Sequence, residues 1–196
     1  MRLKIRFSFF SFLLLLSLVI SKNKFFYLSF LAVFIHELGH ILAAKLLGIR
    51  LNELSIGMLG ARIKTDGACC SYYSEAVLCS FGPLFNFSTA LLVFIFCSLN
   101  GTYGEGARYF VNASLFLGGL NIMPIRTFDG GRILEALLLS LIPLEYVNAI
   151  CGAISFIFIF SLWSASIYFL LIYSSSLGIF VFSFSLFCSM FVREER

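Results

Sequence analysis

Apolar residues run in long blocks along this chain, broken at short polar stations, and the block lengths predict helices that cross a lipid bilayer. About 20 apolar residues span the hydrocarbon core, and on that measure the chain divides into about six spans. The first runs from about Phe7 to Ile20 behind Arg2, Lys4 and Arg6; a signal peptide is the alternative, because Val19 and Ser21 are tolerable at a cleavage site. Lys22-Asn23-Lys24 makes a turn, and Phe25 to Leu47 returns across the membrane. From Gly48 to about Tyr73 the pattern switches to alternation, Leu51-Asn52-Glu53-Leu54-Ser55-Ile56, then Gly57 and Gly60, then Ala61-Arg62-Ile63-Lys64. Period-two alternation punctuated by glycine predicts a small β-hairpin between the second and third spans. The third span covers about Glu75 to Leu99 and stops at Asn100-Gly101. The fourth, about Tyr109 to Ile125, is interrupted by Asn112, Gly118-Gly119, Asn121 and Pro124, and irregular backbone at that depth is tolerated only when packed in protein or lining a wet cavity. After Asp129-Gly130-Gly131 an amphipathic stretch, Arg132 to Ile142, halts at Pro143. The last apolar region, about Val147 to Val192, is too long for one span and suits two, turned near Ser174-Ser175-Ser176. The expected fold is an all-α polytopic membrane protein, a single membrane-embedded domain over 1–196, with its core at 25–142 and a C-terminal helix pair at 147–192.

Composition agrees with the pattern. Of 196 residues, 60% are hydrophobic and 12% charged, and the mean hydropathy is +1.00, values that exclude a soluble domain. Little sequence is left over for a separate PDZ or nucleotide-binding domain. The net charge of +4 comes from basic residues scattered over short loops, with no stripe to bind nucleic acid. Arg2, Lys4, Arg6, Lys45, Arg50, Arg62, Lys64, Arg126, Arg132, Arg193 and Arg196 sort to one side of the expected layout, and Lys22, Lys24 and Arg108 to the other. The excess of basic residues on cytoplasmic loops then puts both termini in the cytoplasm of a multi-pass cell-membrane protein. Six cysteines suggest a disulfide framework, yet Cys97, Cys151 and Cys188 lie inside apolar runs and Cys69-Cys70 are adjacent. They read as free thiols and small hydrophobes.

The chemistry-bearing segment is His36-Glu37-Leu38-Gly39-His40, inside the second span, and it uses the only two histidines of the chain. On a helix, positions i and i+4 share a face, so two imidazoles can reach one metal ion with Glu37 one step round. Ionisable groups at bilayer depth cost about 2.5–3.5 kcal/mol each on insertion scales, which weighs against two idle core histidines. A hydrolytic zinc site usually has three protein ligands and an open position. The chain has two aspartates, Asp66 in a polar loop and Asp129 at the end of the broken fourth span. Asp129 is followed by Gly130-Gly131, which lets backbone approach closely; by itself it reads equally well as an ordinary turn carboxylate.

The motif, together with Asn121-Ile122-Met123-Pro124-Ile125-Arg126-Thr127-Phe128-Asp129-Gly130-Gly131, resembles the site-2 protease (M50) family of intramembrane zinc metalloproteases, whose signatures are H-E-x-x-H and N-x-x-P-x-x-x-x-D-G-G. Phe81-Gly82-Pro83-Leu84-Phe85-Asn86 is similar to the A-G-P-x-x-N that opens the family's next core helix, with Phe for Ala. The resemblance covers about residues 25 to 142, and it is nearest to the small bacterial branch of sporulation factor IVB-type proteases. It implies one Zn2+ per chain held by His36, His40 and Asp129, Glu37 as general acid/base, and a strand edge in the hairpin that receives substrate. Asn86 and Asn121 are expected near the substrate or the oxyanion. Arg126-Thr127 stands where relatives often carry prolines, which predicts a looser loop, and the nucleotide-sensing domain of some relatives is not expected. The expected substrate is a membrane-anchored protein, with the active site in the cytoplasmic half of the bilayer and a regulatory membrane partner or a homo-oligomer as further possibilities. A membrane metal-ion transporter is the alternative, because transport helices also carry His and Glu pairs one turn apart; a catalytically dead scaffold is a third. Glu75, Glu105, Glu135 and Glu145 are expected to be solvated, and Arg132 to anchor the amphipathic helix at the headgroups.

Overall fold

Helix α1, Lys24–Leu46, buries a stripe of small residues and histidines, Ala32, His36, Gly39, His40, Ala43 and Ala44, at the three- and four-residue spacing of one helix face. Its other faces expose Leu31, Val33, Phe34, Leu38 and Leu42, a display that water would not tolerate and lipid does. Small residues on the inward stripe let a second helix approach closely, which is how membrane helices pack when the hydrophobic effect no longer discriminates inside from outside. The helix stops at Gly48, whose φ of +65° a residue with a side chain rarely adopts. There Ile49 N–H donates to Ala44 O at 2.9 Å and Gly48 N–H to Lys45 O at 3.2 Å, so the last carbonyls find donors.

The computed structural model describes residues 4–7, 24–49, 51–57, 60–65, 71–173 and 177–191. The expected span from Phe7 to Ile20 lies outside the described residues apart from Phe7. Strand β1 is Lys4–Phe7, followed after α1 by β2, Leu51–Gly57, and β3, Gly60–Thr65. β2 and β3 pair antiparallel with Leu54 opposite Ile63 and Gly57 opposite Gly60. β1 pairs parallel with β2, Ile5 opposite Leu54, so β2 is central and β3 lies at an edge. The third strand has no counterpart in the expected layout, which gave Lys4 and Arg6 only the role of a basic flank.

Helix α2, Tyr72–Leu99, starts on Ser71, whose hydroxyl accepts from Ser74 N–H at 3.2 Å, and ends at Gly101 with φ +63°. It runs straight through Pro83, so the Gly82-Pro83 step lies in a helix interior and does not open a helix. α3, Glu105–Ile122, is shorter than the expected fourth span; it ends at Met123, φ −58° and ψ 138°, because the residue before Pro124 is pushed out of the helical region. α4, Asp129–Leu139, begins three residues before the expected amphipathic stretch, which puts Asp129 in a first helical turn, where a negative charge is favoured. α5, Leu144–Tyr173, and α6, Leu177–Phe191, form the C-terminal pair. Trp163 stacks on Phe187 at 5.2 Å and Ser166 shares a 2.8 Å hydrogen bond with Ser183; the pairing shifts oppositely along the two helices, so they are antiparallel.

Three helices are long and apolar enough to cross a membrane, Lys24–Leu46, Tyr72–Leu99 and Leu144–Ile172; the count of six is not reached among the described residues. α2 is the hub, packed against α1, α3 and α4. The segment between α3 and α4 is clamped from below by the C-terminal pair, Ile125 and Phe128 packing on Ile159 and Leu186. Arg126 fastens the same segment: its backbone N–H donates to Ser155 Oγ at 3.1 Å, and Nη2 donates to Asn148 O at 2.8 Å and Oδ1 at 2.9 Å. Arg126 thus ties this segment to α5 by hydrogen bonds at a position where relatives were expected to carry proline. Cys79, Cys97, Cys151 and Cys188 are free thiols, and Cys69 and Cys70 lie outside the described residues.

Candidate metal centre

Two close approaches build the site. At the α1–α2 crossing a side chain on Gly39 would meet Phe81 O at 2.5 Å, so the two backbones touch. At the same crossing, a Cβ on Gly82 would overlap His40 Nε2 and lie 2.6 Å from its Cε1 and 2.8 Å from His36 Cε1, so the histidine rings rest on the bare backbone of α2. The Asp129 end is assembled the same way: Gly130 is pressed against the Ile122 and Met123 carbonyls and Gly131 against Ile125 O. With any larger residue there, α4 would be held away from the end of α3 and Asp129 would retreat from α1.

The result is a triangle of donors. His36 Nε2 lies 3.0 Å from Asp129 Oδ2, His40 Nε2 3.2 Å from the same oxygen, and the two Nε2 atoms 3.3 Å apart. Both rings are buried and the Asp129 side chain is 12% exposed. A tetrahedral ion with ligand bonds of about 2.0–2.1 Å has donors about 3.3–3.4 Å from one another, which the triangle matches to within a few tenths of an ångström. The donor chemistry agrees. His40 Nδ1–H donates to the Leu78 carbonyl at 2.9 Å, an oxygen that can only accept, so a neutral His40 ring presents an Nε2 lone pair to a carboxylate. With the rings neutral, this convergence of two nitrogens and a carboxylate oxygen fits a cation held between them; with a ring protonated, the same contact is an ion pair with Asp129. Burial pushes the Asp129 carboxyl up, but the hydrogen bonds and charge of His36 and His40 outweigh it and hold it down at about 2, so it is ionised at neutral pH.

His36, His40 and Asp129, 89 to 93 residues apart in sequence, are therefore brought together as expected, and they are the residues that could hold a metal ion. Glu37 follows His36 on α1 and is half-buried. Asn86 is fully buried, and its Nδ2 lies 3.1 Å from His36 Nδ1, the ring nitrogen remote from Asp129; this contact differs from the oxyanion role expected of it. Asn121 turns its Nδ2 back to Leu117 O, one turn earlier on its own helix, at 3.0 Å. Arg132 pairs with Glu75 at 3.2 Å, their side chains 28% and 42% exposed, so Glu75 is not simply solvated and Arg132 ties α4 to α2. A groove of about 520 Å3 runs between α1 and α3, lined by Ser29, Ala32, Val33, Asn112, Ala113 and Phe116 among others. It begins one turn from His36 and none of the three ligands lines it.

Sequence reasoning missed Gly82, Leu78, Asn148 and Ser155. Gly82 had a trace, in the Gly-Pro step of the third element; a backbone carbonyl such as that of Leu78 leaves none.

The sequence model described as Peptidase family M50 matches residues 24–109, which includes the histidine pair, Gly82 and Asn86. A zinc metalloprotease of Methanocaldococcus jannaschii is 32% identical over 117 residues, 58% of this chain and 34% of that protein. The site-2 protease of the same organism has a similar structure, with a TM-score of 0.66 and 23% identity, over 98% of this chain and 91% of the solved one. Over residues 24–109 the chain is thus similar to the M50 family, and it shares the fold of the solved structure. The chain spans about a third of the length of the curated relative, 34%. The structural likeness extends the shared fold past residue 109, where the family match ends, to Asp129 and the helix pair that clamps it.

Proposed function

We propose that this M50-type chain is an intramembrane zinc endopeptidase that cuts membrane-anchored proteins in regulated intramembrane proteolysis. The observation that carries the reading is the donor triangle of His36, His40 and Asp129, set between helices of membrane-crossing length and apolarity. Zinc bound there supplies a Lewis acid and lowers the pKa of water from about 15.7 toward about 7. Glu37, one residue beyond His36, takes a proton from the attacking water and returns it to the leaving amine. Leu78 O, Gly82 and the Gly130-Gly131 contact hold the rings and the carboxylate in direction.

A transmembrane substrate hides its peptide bonds in its own helical hydrogen bonds, so it must unwind before it is cut. The outer edge of β3, Gly60–Thr65, supports a route, since an extended segment can add to such an edge as a further strand. Substrates with Gly, Pro or Asn near the cleavage point are expected to be cut best. The excess of basic residues on one side supports an active site in the cytoplasmic half of the cell membrane, with both termini cytoplasmic. Residues 41–128 leave no length for an inserted PDZ domain between the two signatures, which supports the small sporulation factor IVB-type branch. A transporter would need a polar path through several helices, and residues 147–192 carry no Asp, Glu, Lys or Arg.

Glu37→Gln tests the function. Zinc content should stay at one per chain while cleavage stops and one membrane-anchored precursor accumulates in a comparative membrane proteome. If no precursor accumulates and zinc uptake into vesicles falls instead, the transporter is the better reading.

A further inference from the structure

Each histidine of the triangle has a second nitrogen, and the two are held differently. His40 Nδ1 faces a backbone carbonyl, Leu78 O, which fixes its proton on that nitrogen. His36 Nδ1 faces the side-chain amide nitrogen of Asn86 at 3.1 Å, while Asn86 Oδ1 is buried without a hydrogen-bond partner. That arrangement suits a His36 ring protonated on Nε2, the atom that must be free to hold a metal. When Nε2 is a ligand, the neutral ring carries its proton on Nδ1, and two N–H donors would then confront one another at 3.1 Å, too close for anything to lie between them.

A half-turn of the amide exchanges Oδ1 and Nδ2 without moving any other atom. It trades an unpartnered buried acceptor for an unpartnered buried donor, which is close to neutral, and it replaces the donor–donor conflict with a hydrogen bond. We propose that Asn86 is a positioning residue for His36: in the metal-loaded protein its Oδ1 accepts from His36 Nδ1–H, which locks the ring into the tautomer and direction that present Nε2 to the ion. The proposal rests on the metal site above. It makes His36 the ligand whose orientation depends on a replaceable side chain, whereas His40 is oriented by backbone. It also takes Asn86 out of contact with substrate.

The expected signature is in zinc affinity, read on the full chain in detergent by competition with a chromophoric chelator. Asn86→Leu, which removes the acceptor at similar volume, should weaken zinc binding about 10–100-fold, the range for losing an outer-shell partner of a ligand. Asn86→Asp keeps an acceptor and cannot donate, so it should bind zinc within about threefold of wild type or more tightly. An Asp variant as weak as the Leu variant, or a Leu variant indistinguishable from wild type, overturns the proposal. A second measurement needs no variant. With only two histidines in the chain, 15N-histidine labelling gives four ring-nitrogen signals, and both rings should carry their proton on Nδ1 in the zinc-loaded protein; a proton on Nε2 of His36 overturns it. Failure of the metal site itself looks different, because wild type would then bind no zinc at all.

Discussion

Gly82→Ala perturbs the site through one methyl group. The added carbon would overlap His40 Nε2 and stand 2.6 Å from His40 Cε1 and 2.8 Å from His36 Cε1. Carbon atoms rest at about 3.5–4.0 Å, so both rings must move by about 1 Å, or α1 must lift off α2. Neither is easy, because Gly39 already sits against Phe81 O and His40 is tied to Leu78 O. Zinc bonds tolerate departures of about 0.2 Å, so a displacement of about 1 Å removes at least one ligand. We expect zinc affinity to fall by about 100-fold or more, which is about 2.8 kcal/mol or more of binding free energy, with cleavage lost in parallel. The control is Gly119→Ala on α3, where an added methyl meets nothing within 4 Å. That change should leave zinc binding untouched and favour the helix by about 0.8–1.0 kcal/mol. The assay is chelator competition on both purified variants, with thermal unfolding in detergent to verify that each is folded. A Gly82→Ala protein that is folded and binds zinc like wild type would refute the claim that the rings rest on this backbone.

Arg126→Ala removes the two hydrogen bonds to Asn148 from an exposed site, so thermal unfolding should show a loss of about 1 kcal/mol, and limited proteolysis should cut the segment before Asp129 sooner. Glu75→Gln breaks a half-exposed pair with Arg132; stability should fall by less than about 1 kcal/mol and zinc content should not change. Gly131→Val should be far more damaging than either, since its side chain would collide with Ile125 O and drive Asp129 away from α1; a folded protein with full zinc occupancy would contradict the role given to that glycine.

The site was legible in the sequence to the extent that it is local. His36 and His40 are one turn apart, so periodicity alone brings them together, and a chain with two aspartates leaves few candidates for a third ligand. What sets their precision was not legible, because it is made by backbone. Leu78 acts through its carbonyl and Gly82 by having no side chain, and neither leaves a periodic or compositional mark. The helix ends followed simple rules where glycine or proline enforces them, at Gly48, Gly101 and Pro124. The third span was expected to run through Pro83, and α2 does so, packed against α1, α3 and α4. The parallel pairing of Lys4–Phe7 with the Glu53-to-Ile56 stretch of β2 was invisible because so short a strand carries too little alternation to read, and its partner lies far along the chain.

X-ray absorption at the zinc edge on the purified, unaltered chain tests the donor triangle most directly. It should find one zinc per chain with two imidazole nitrogens at about 2.0–2.1 Å and oxygen ligation at about 2.0–2.2 Å, and Asp129→Asn should weaken binding while leaving both imidazoles in place. A chain that copurifies with no zinc and takes up none, or a spectrum dominated by sulfur at about 2.3 Å, would contradict it.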